Sequence, residues 1–284
     1  MERDFLSLPA RAVKPRSTGL THVLDKGLPV PQTTALLEAA GEFVDIWKFG
    51  WGSAYLDRQL EQKLALLAEH GVRACLGGTL LEIAWSQDRV EECLRWAADA
   101  EVPLVEVSRG VMPMSVAEKS RLIARAARSF TVLSEVGSKD PEQQLEPEQW
   151  KSEVSEDLAA GAWLVVTEGR ESGTVGTYGP GGVVLEEVID AVVSVAGHER
   201  ILFEAPLKDQ QAWCINRFGP DVNLGNVALD DIVNVEALRL GLRADTAVLP
   251  SGPPTGPPSG PPSRPPTGPL SGPPSGPRSG PPSW

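Results

Sequence analysis

The feature that most constrains this chain is an alternation of two patterns. Eight short runs rich in β-branched and other apolar residues recur along residues 1–249, separated by stretches of helical periodicity. The strand candidates are Leu20–Lys26, Phe43–Phe49, Arg73–Gly77, Leu104–Ser108, Thr131–Val136, Trp163–Thr167, Arg200–Glu204 and Val222–Leu224. Between them, Tyr55–His70 sets Leu56, Leu60, Leu64 and Leu67 on one helical stripe, with Gly71 as its stop. Arg89–Ala100, Val116–Arg128, a helix opened by Pro147 and closed before Gly161, Val183–Ala196, Asp209–Phe218 and Leu229–Leu240 follow. Pro31–Ala40 is the first and weakest of the set. Strands alternating with helices predict parallel βα units. Eight units in about 250 residues predict a single (β/α)8 TIM barrel over residues 1–249. An open doubly wound sheet is the alternative, but no GxGxxG follows the first strand.

The composition breaks at Pro250. From Ser251 to Trp284 a four-residue unit repeats, SGPP or TGPP with small variations such as Ser263-Arg264-Pro265-Pro266. Proline removes amide donors and fixes φ, and nothing here builds a core, so a disordered Pro/Gly/Ser-rich tail of polyproline II character is predicted over 250–284. The period of four excludes collagen, which needs glycine at every third residue.

Net charge is −12, and the tail contributes just Arg264 and Arg278, so the remainder is more acidic still. An acidic chain is a poor partner for nucleic acid or anionic membranes. No long uncharged apolar run offers a membrane helix, and the charged start leads into no hydrophobic signal segment. Cys75, Cys93 and Cys214 are far apart and odd in number. They predict buried thiols in a reducing cytoplasm rather than disulfides or zinc. The oligomeric state is open, a homo-oligomer included.

In a TIM barrel, catalytic groups sit at the C-terminal ends of the strands. Charges recur there in this chain: Lys26, Lys48, Glu106 and Arg109, Glu135 and Lys139, Glu168 and Arg170, Glu204 and Lys208, with Gly77-Gly78 after strand three and Asn226 after strand eight. Charges within apolar strands are costly to bury unless paired or coordinated, so their recurrence at one face predicts a site. Lys26, Lys48, Arg109, Lys139, Arg170 and Lys208 could neutralise a phosphate, a carboxylate and a second anion. Glu135, Glu168 and Glu204 offer oxygen ligands, which suit Mg2+ in the absence of a His or Cys cluster. The amides of Gly77 and Gly78 could receive a phosphate. Other residues read as structural: Asp25 as a loop cap, Asp45 facing the helices, Trp47 and Trp51 in packing, Glu82 in a local pair, His70 and His198 at helix ends. His22 on strand one reads as core or site.

Eight strings occur in order: KPRSTGLTHVLDKG (Lys14–Gly27), FVDIWKFGWG (Phe43–Gly52), ACLGGTLLE (Ala74–Glu82), VEVSRG (Val105–Gly110), SEVGSKD (Ser134–Asp140), VTEGRESG (Val166–Gly173), FEAPLKDQQ (Phe203–Gln211) and NLGNV (Asn223–Val227). On these motifs the chain resembles the phosphosulfolactate synthase family, which also contains plant heat-stress-associated relatives. The resemblance spans about residues 8–245. It implies a Mg2+-dependent carbon–sulfur lyase that adds sulfite to phosphoenolpyruvate, giving 2-phospho-3-sulfolactate for coenzyme M or sulfolactate formation. Lys139 is then expected to protonate C2, its pKa depressed by burial and neighbouring cations. Lys48, Arg109 and Arg170 are expected to hold the anionic groups. Two rival readings remain at this point: a Schiff-base aldolase using Lys48 or Lys139, and a non-catalytic stress protein on the same barrel.

Overall fold

The computed structural model describes residues 5–140, 142 and 144–247, and the tail expected over 250–284 lies outside them. Eight parallel strands close into a barrel in chain order. They are β1 (Thr21–Asp25), β2 (Ile46–Phe49), β3 (Arg73–Leu76), β4 (Leu104–Val107), β5 (Thr131–Val136), β6 (Leu164–Thr167), β7 (Ile201–Glu204) and β8 (Leu224–Val227). The helices are α1 (Val30–Ala40), α2 (Ser53–Leu56), α3 (Leu60–Glu69), α4 (Gly78–Ser86), α5 (Val90–Asp99), α6 (Val116–Ala126), α7 (Pro147–Ala160), α8 (Glu186–Ala196), α9 (Lys208–Phe218) and α10 (Ile232–Arg239). The predicted (β/α)8 class is therefore the observed one.

Strand periodicity divides the core into two shells. Val23, Trp47, Val105, Val132, Val165 and Phe203 point outward and pack under the helices. Leu20, Ile46, Cys75, Leu104, Leu133, Leu164, Val166 and Leu202 fill the inside of the barrel. Two residues further along five strands, the same inward face carries a charge: Ile46 gives way to Lys48, Leu104 to Glu106, Leu133 to Glu135, Val166 to Glu168 and Leu202 to Glu204. A period of two puts both members of each pair on one face. The barrel therefore has an apolar plug with a ring of ionisable groups stacked on it.

Several elements differ from their sequence patterns, among them β2, which starts at Ile46 and not at Phe43 because Gly41–Phe43 form a 3-10 turn. The helix expected over 55–70 is broken into α2 and α3, because the Asp57 carboxylate accepts the Gln59 N–H at 2.8 Å and offers the backbone a local turn instead. Lys63 reaches back from α3 to the same carboxylate at 2.7 Å. Helix α4 follows directly on Gly77, whose short apolar run (TLLEIAWS) carries too little polar contrast to read as an amphipathic helix. Strand β8 starts two residues later than expected, and its pairing with β1 carries a register shift between Thr21 and Val23. That shift is a bulge of the kind that re-aims side chains at barrel rims.

Candidate active site

A cavity of about 430 Å³ opens at the C-terminal ends of the strands. Its lining includes Lys48, Glu106, Glu135, Lys139, Glu168, Arg170, Glu204 and Asn226, with Gly77 and Gly78 on one wall. These groups arrive on seven strands, β2 to β8, or the segments after them, so closing the barrel is what assembles them.

Lys48 stands between two carboxylates. Its Nζ donates to Glu106 Oε2 at 3.0 Å and to Glu204 Oε1 at 3.1 Å, and the side chain is buried. Burial works against its charge, but Glu106, Glu204 and Glu135 outweigh it and raise the pKa well above the ordinary lysine value. The other oxygens are also held: Gly78 N–H donates to Glu106 Oε1 and Gly169 N–H to Glu204 Oε2, each at 2.9 Å. Tyr178, folded in from the loop after β6, donates its hydroxyl to the Glu204 carbonyl at 2.5 Å.

Lys139 forms a second node. Its Nζ lies 2.9 Å from Glu135 Oε1 and 3.6 Å from Glu168 Oε2. Burial again opposes the charge, and Glu135 and Glu168 overcome it, so the Lys139 pKa is raised. This corrects the expected depression: the neighbours that dominate are carboxylates, not cations. Burial also pushes against the Glu135 charge, but Lys139 and Lys48 hold its pKa down to about 2. Glu168 goes the other way, raised well above the usual carboxylate range by burial and by Glu135 and Glu204. Its Oε1 accepts the Arg170 N–H at 2.8 Å, while its buried Oε2 has no hydrogen-bond partner.

The cations expected to gather here divide. Lys48, Lys139 and Arg170 line the cavity, and the exposed Arg170 guanidinium donates to the Lys139 carbonyl at 3.2 Å. Lys26 lines a neighbouring depression and pairs with Glu171 at the mouth. Arg109 is not in the cavity: it turns outward to Glu153 on α7, in a buried network that also holds Lys119, Asp157 and Ser134. Lys208 is on the surface, 2.7 Å from Asp245. Strand position could not separate these groups, because all but Lys48 lie past a strand end, where the pleat no longer holds a side chain to one face.

The glycines also have a different part from the expected one. Gly77 N–H donates to the Phe49 carbonyl and Gly78 N–H to Glu106, so neither amide is free for a phosphate. Their value is close approach: a Cβ on Gly78 would lie 2.3 Å from Ser108 Oγ, and one on Gly77 would lie 2.8 Å from the Phe49 carbonyl. Glu106, noted only as a strand-end charge, is an integral member of the cluster, and the signal for it was its place two residues after Leu104. Asp25 does cap its loop, accepting from Gly27 and Leu28 N–H, and is tied to Lys63 and Trp47. Glu82 holds the loop after β4 through the amides of Gly110, Val111 and Met112. Trp47 is buried in packing, whereas Trp51 is exposed and lines the cavity.

Charge decides what this cluster can accept. Glu106, Glu135, Glu168 and Glu204 face two lysines, so full ionisation leaves two negative charges uncompensated. The raised Glu168 and Glu204 pKa values express that shortage. Glu168→Gln is therefore expected to stabilise the protein by about 1 kcal/mol at pH 8, or roughly 2–4 °C in Tm, while lowering activity. A raised carboxyl pKa contributes stability below the ordinary value of 4.5 and loses it as pH rises through the folded value. The Tm gain should thus vanish when melting is repeated below pH 4.5. A loss of Tm at pH 8 would show that the Glu168 charge supports the fold.

Fold and site together define a (β/α)8-barrel protein whose catalytic face carries an acid–lysine cluster around one polar cavity. Residues 9–245 match the family model of (2R)-phospho-3-sulfolactate synthase (ComA), and the chain belongs to that family. The phosphosulfolactate synthase of Bacillus subtilis (strain 168) is 41% identical over 250 residues, covering 87% of this chain and 99% of the relative. That of Methanothermobacter thermautotrophicus is 42% identical over 249 residues, covering 86% and 96%. Protein HEAT-STRESS-ASSOCIATED 32 of Arabidopsis thaliana is 28% identical over 266 residues, covering 84% and 91%.

Proposed function

We propose that this protein is a phosphosulfolactate synthase that joins sulfite to phosphoenolpyruvate as a carbon–sulfur lyase. The observation that carries this reading is the 41% identity over 250 residues, which takes in every strand end of the cavity. The chemistry of the cluster supports it. The sulfite sulfur forms a bond to C3 of phosphoenolpyruvate, and the C2–C3 π pair moves onto the carboxylate. The Lys139 ammonium then delivers a proton to C2, and the phosphate ester stays intact. The amine regains its proton from water. Glu135 and Glu168 hold the Lys139 amine in the cavity and keep it protonated. Arg170 at the mouth suits an anionic oxygen. Lys48 is enclosed by Glu106 and Glu204 and held as an ammonium ion, which disfavours a Schiff-base role.

The donor set fits magnesium. Glu168 Oε2 is a buried oxygen without a hydrogen-bond partner, and the cluster is short of positive charge. Among the described residues no three acidic, histidine or cysteine groups form a ready cage. Magnesium rarely needs one, since it keeps several waters and uses one or two carboxylates with substrate oxygens. Glu168, with Glu135 or Glu204, would hold it. Bound there, it would supply Lewis-acid stabilisation of charge developing on the substrate carboxylate. A net acidic cavity also needs such an ion to admit two anions together.

Free Cys75, Cys93 and Cys214 support a reducing cytoplasmic setting, and among the described residues no helix is long and apolar enough to cross a membrane. The test is direct. Purified protein with phosphoenolpyruvate, sulfite and Mg2+ is expected to give the mass of phosphosulfolactate. EDTA should abolish turnover and excess Mg2+ restore it. Absence of product would overturn the activity, and turnover that persists in EDTA would overturn the metal requirement alone.

A further inference from the structure

His22 is fully buried on β1, inside the barrel, where Lys48 and Glu135 contribute to its electrostatic surroundings. Its position in the sheet is unusual. Pairing of β1 with β8 runs Thr21 to Leu224 and then Val23 to Val227, so one residue of β1 faces two of β8. The single residue is His22, and the two are Gly225 and Asn226. An inserted residue disrupts the ladder and leaves a backbone group to be satisfied elsewhere. Here the Asn226 N–H donates to His22 Nδ1 at 3.2 Å, so the imidazole stands in for the lost carbonyl partner.

The bulge has a product. Asn226 is a non-glycine residue with φ +52, a left-handed conformation that costs energy unless its surroundings impose it. In that conformation its side chain lines the cavity, and its Oδ1 is buried with no hydrogen-bond partner. Gly225 makes room for the arrangement: a Cβ there would lie 3.3 Å from His22 Nδ1 and 3.1 Å from Leu202 Cδ2. Because Nδ1 accepts, its lone pair is engaged and the ring proton is assigned to Nε2, a buried nitrogen without a hydrogen-bond partner, in a neutral ring. Burial, reinforced by the nearby Lys48 charge, holds the imidazole pKa well below its ordinary value, which keeps that acceptor available.

We propose that His22 is a positioning residue: through its Nδ1 acceptor it holds the β8 bulge that presents the Asn226 carboxamide to the bound substrate, its Nδ2 amide donating to an anionic oxygen. The substrate half of this statement rests on the synthase reading, while the His22–Asn226 half does not. His22 touches no reacting atom and acts through Asn226 alone. An aspargine-sized replacement therefore has a defined effect, since its Oδ1 can occupy the place of the imidazole Nδ1.

The experiment is a double-mutant cycle with a spectroscopic arm. His22→Leu, which removes the acceptor, is expected to raise KM for phosphoenolpyruvate about tenfold with kcat within about threefold of native, the loss of one binding hydrogen bond. His22→Asn should stay within about twofold of native KM, because it restores an acceptor. In an Asn226→Ala background, His22→Leu should change KM by less than about twofold, since the two residues act as one unit. Independent, multiplying effects in the cycle would overturn the proposal. Should His22→Leu fail to fold, 15N NMR of the native protein decides: the expected state at pH 7.5 is a neutral ring protonated at Nε2. A proton on Nδ1 would overturn the assignment whether or not the protein turns over sulfite and phosphoenolpyruvate.

Discussion

Lys139→Ala is expected to lower kcat about 10³-fold while leaving the barrel folded, the usual scale for removing a general acid. Lys139 sits on the loop after β5, not in the apolar plug, and its amine faces the cavity between Glu135 and Glu168. Lys139→Arg is the sharper variant. It keeps a positive charge beside the two glutamates but gives up protons far less readily, so it should bind substrate and still turn over as poorly as the alanine variant. Single-turnover measurement of solvent deuterium incorporation at C2 reads the same step. Because the Lys139 pKa is raised, its ammonium persists as pH increases, and its loss begins only above the ordinary value of 10.5. The kcat profile should therefore show no basic limb from this group below that value. Normal turnover by Lys139→Arg would remove Lys139 from the acid role and leave it a purely electrostatic one.

Lys48→Met is expected to destabilise the protein by about 4 kcal/mol at pH 7.5, the cost of stranding buried carboxylates without their cation. Methionine roughly preserves volume, so the loss reports charge and not a cavity. Lys48 touches Glu106 and Glu204 at once, and both are buried. Adding Glu204→Gln to Lys48→Met should return about half of the lost stability, again on the scale of one buried charge. The pH dependence has a definite sign. The Glu204 pKa is raised by burial, eased by Lys48, and raised further by Glu135 and Glu106. Such a group favours the fold when protonated, so the deficit of Lys48→Met should narrow as pH falls toward 5 and widen as it rises. Urea unfolding across that range measures it. A pH-independent loss, or one below about 1 kcal/mol, would mean that the Lys48 pairs contribute as little as surface ion pairs do.

Much of the site was legible as a pattern of alternation. Leu104-Val105-Glu106 and Leu133-Ser134-Glu135 place a carboxylate on the same inward face as the plug leucine, and the closed barrel turns that phase into convergence. Lys48 followed the same rule after Ile46. Arg109 and Lys208 were grouped with them by proximity to a strand end, yet both lie beyond the last strand residue, where pleat no longer fixes direction. Arg109 therefore follows the pull of Glu153, and Lys208 that of Asp245. The Asn226 conformation had no signature in NLGNV, because a bulge is a relation between two strands.

The sequence by itself determined the architecture: eight apolar strands, their helices, and the family to which the chain belongs. It also determined which strands carry charge at the catalytic end. The tertiary structure alone decided how those charges are shared. Local pattern sets the face a side chain occupies, but ionisation depends on every neighbour within a few ångströms, and those neighbours come from strands far apart in the chain. That is why Lys139 has a raised pKa where a depressed one was expected, and why Glu135 and Glu168, on adjacent strands, are driven in opposite directions.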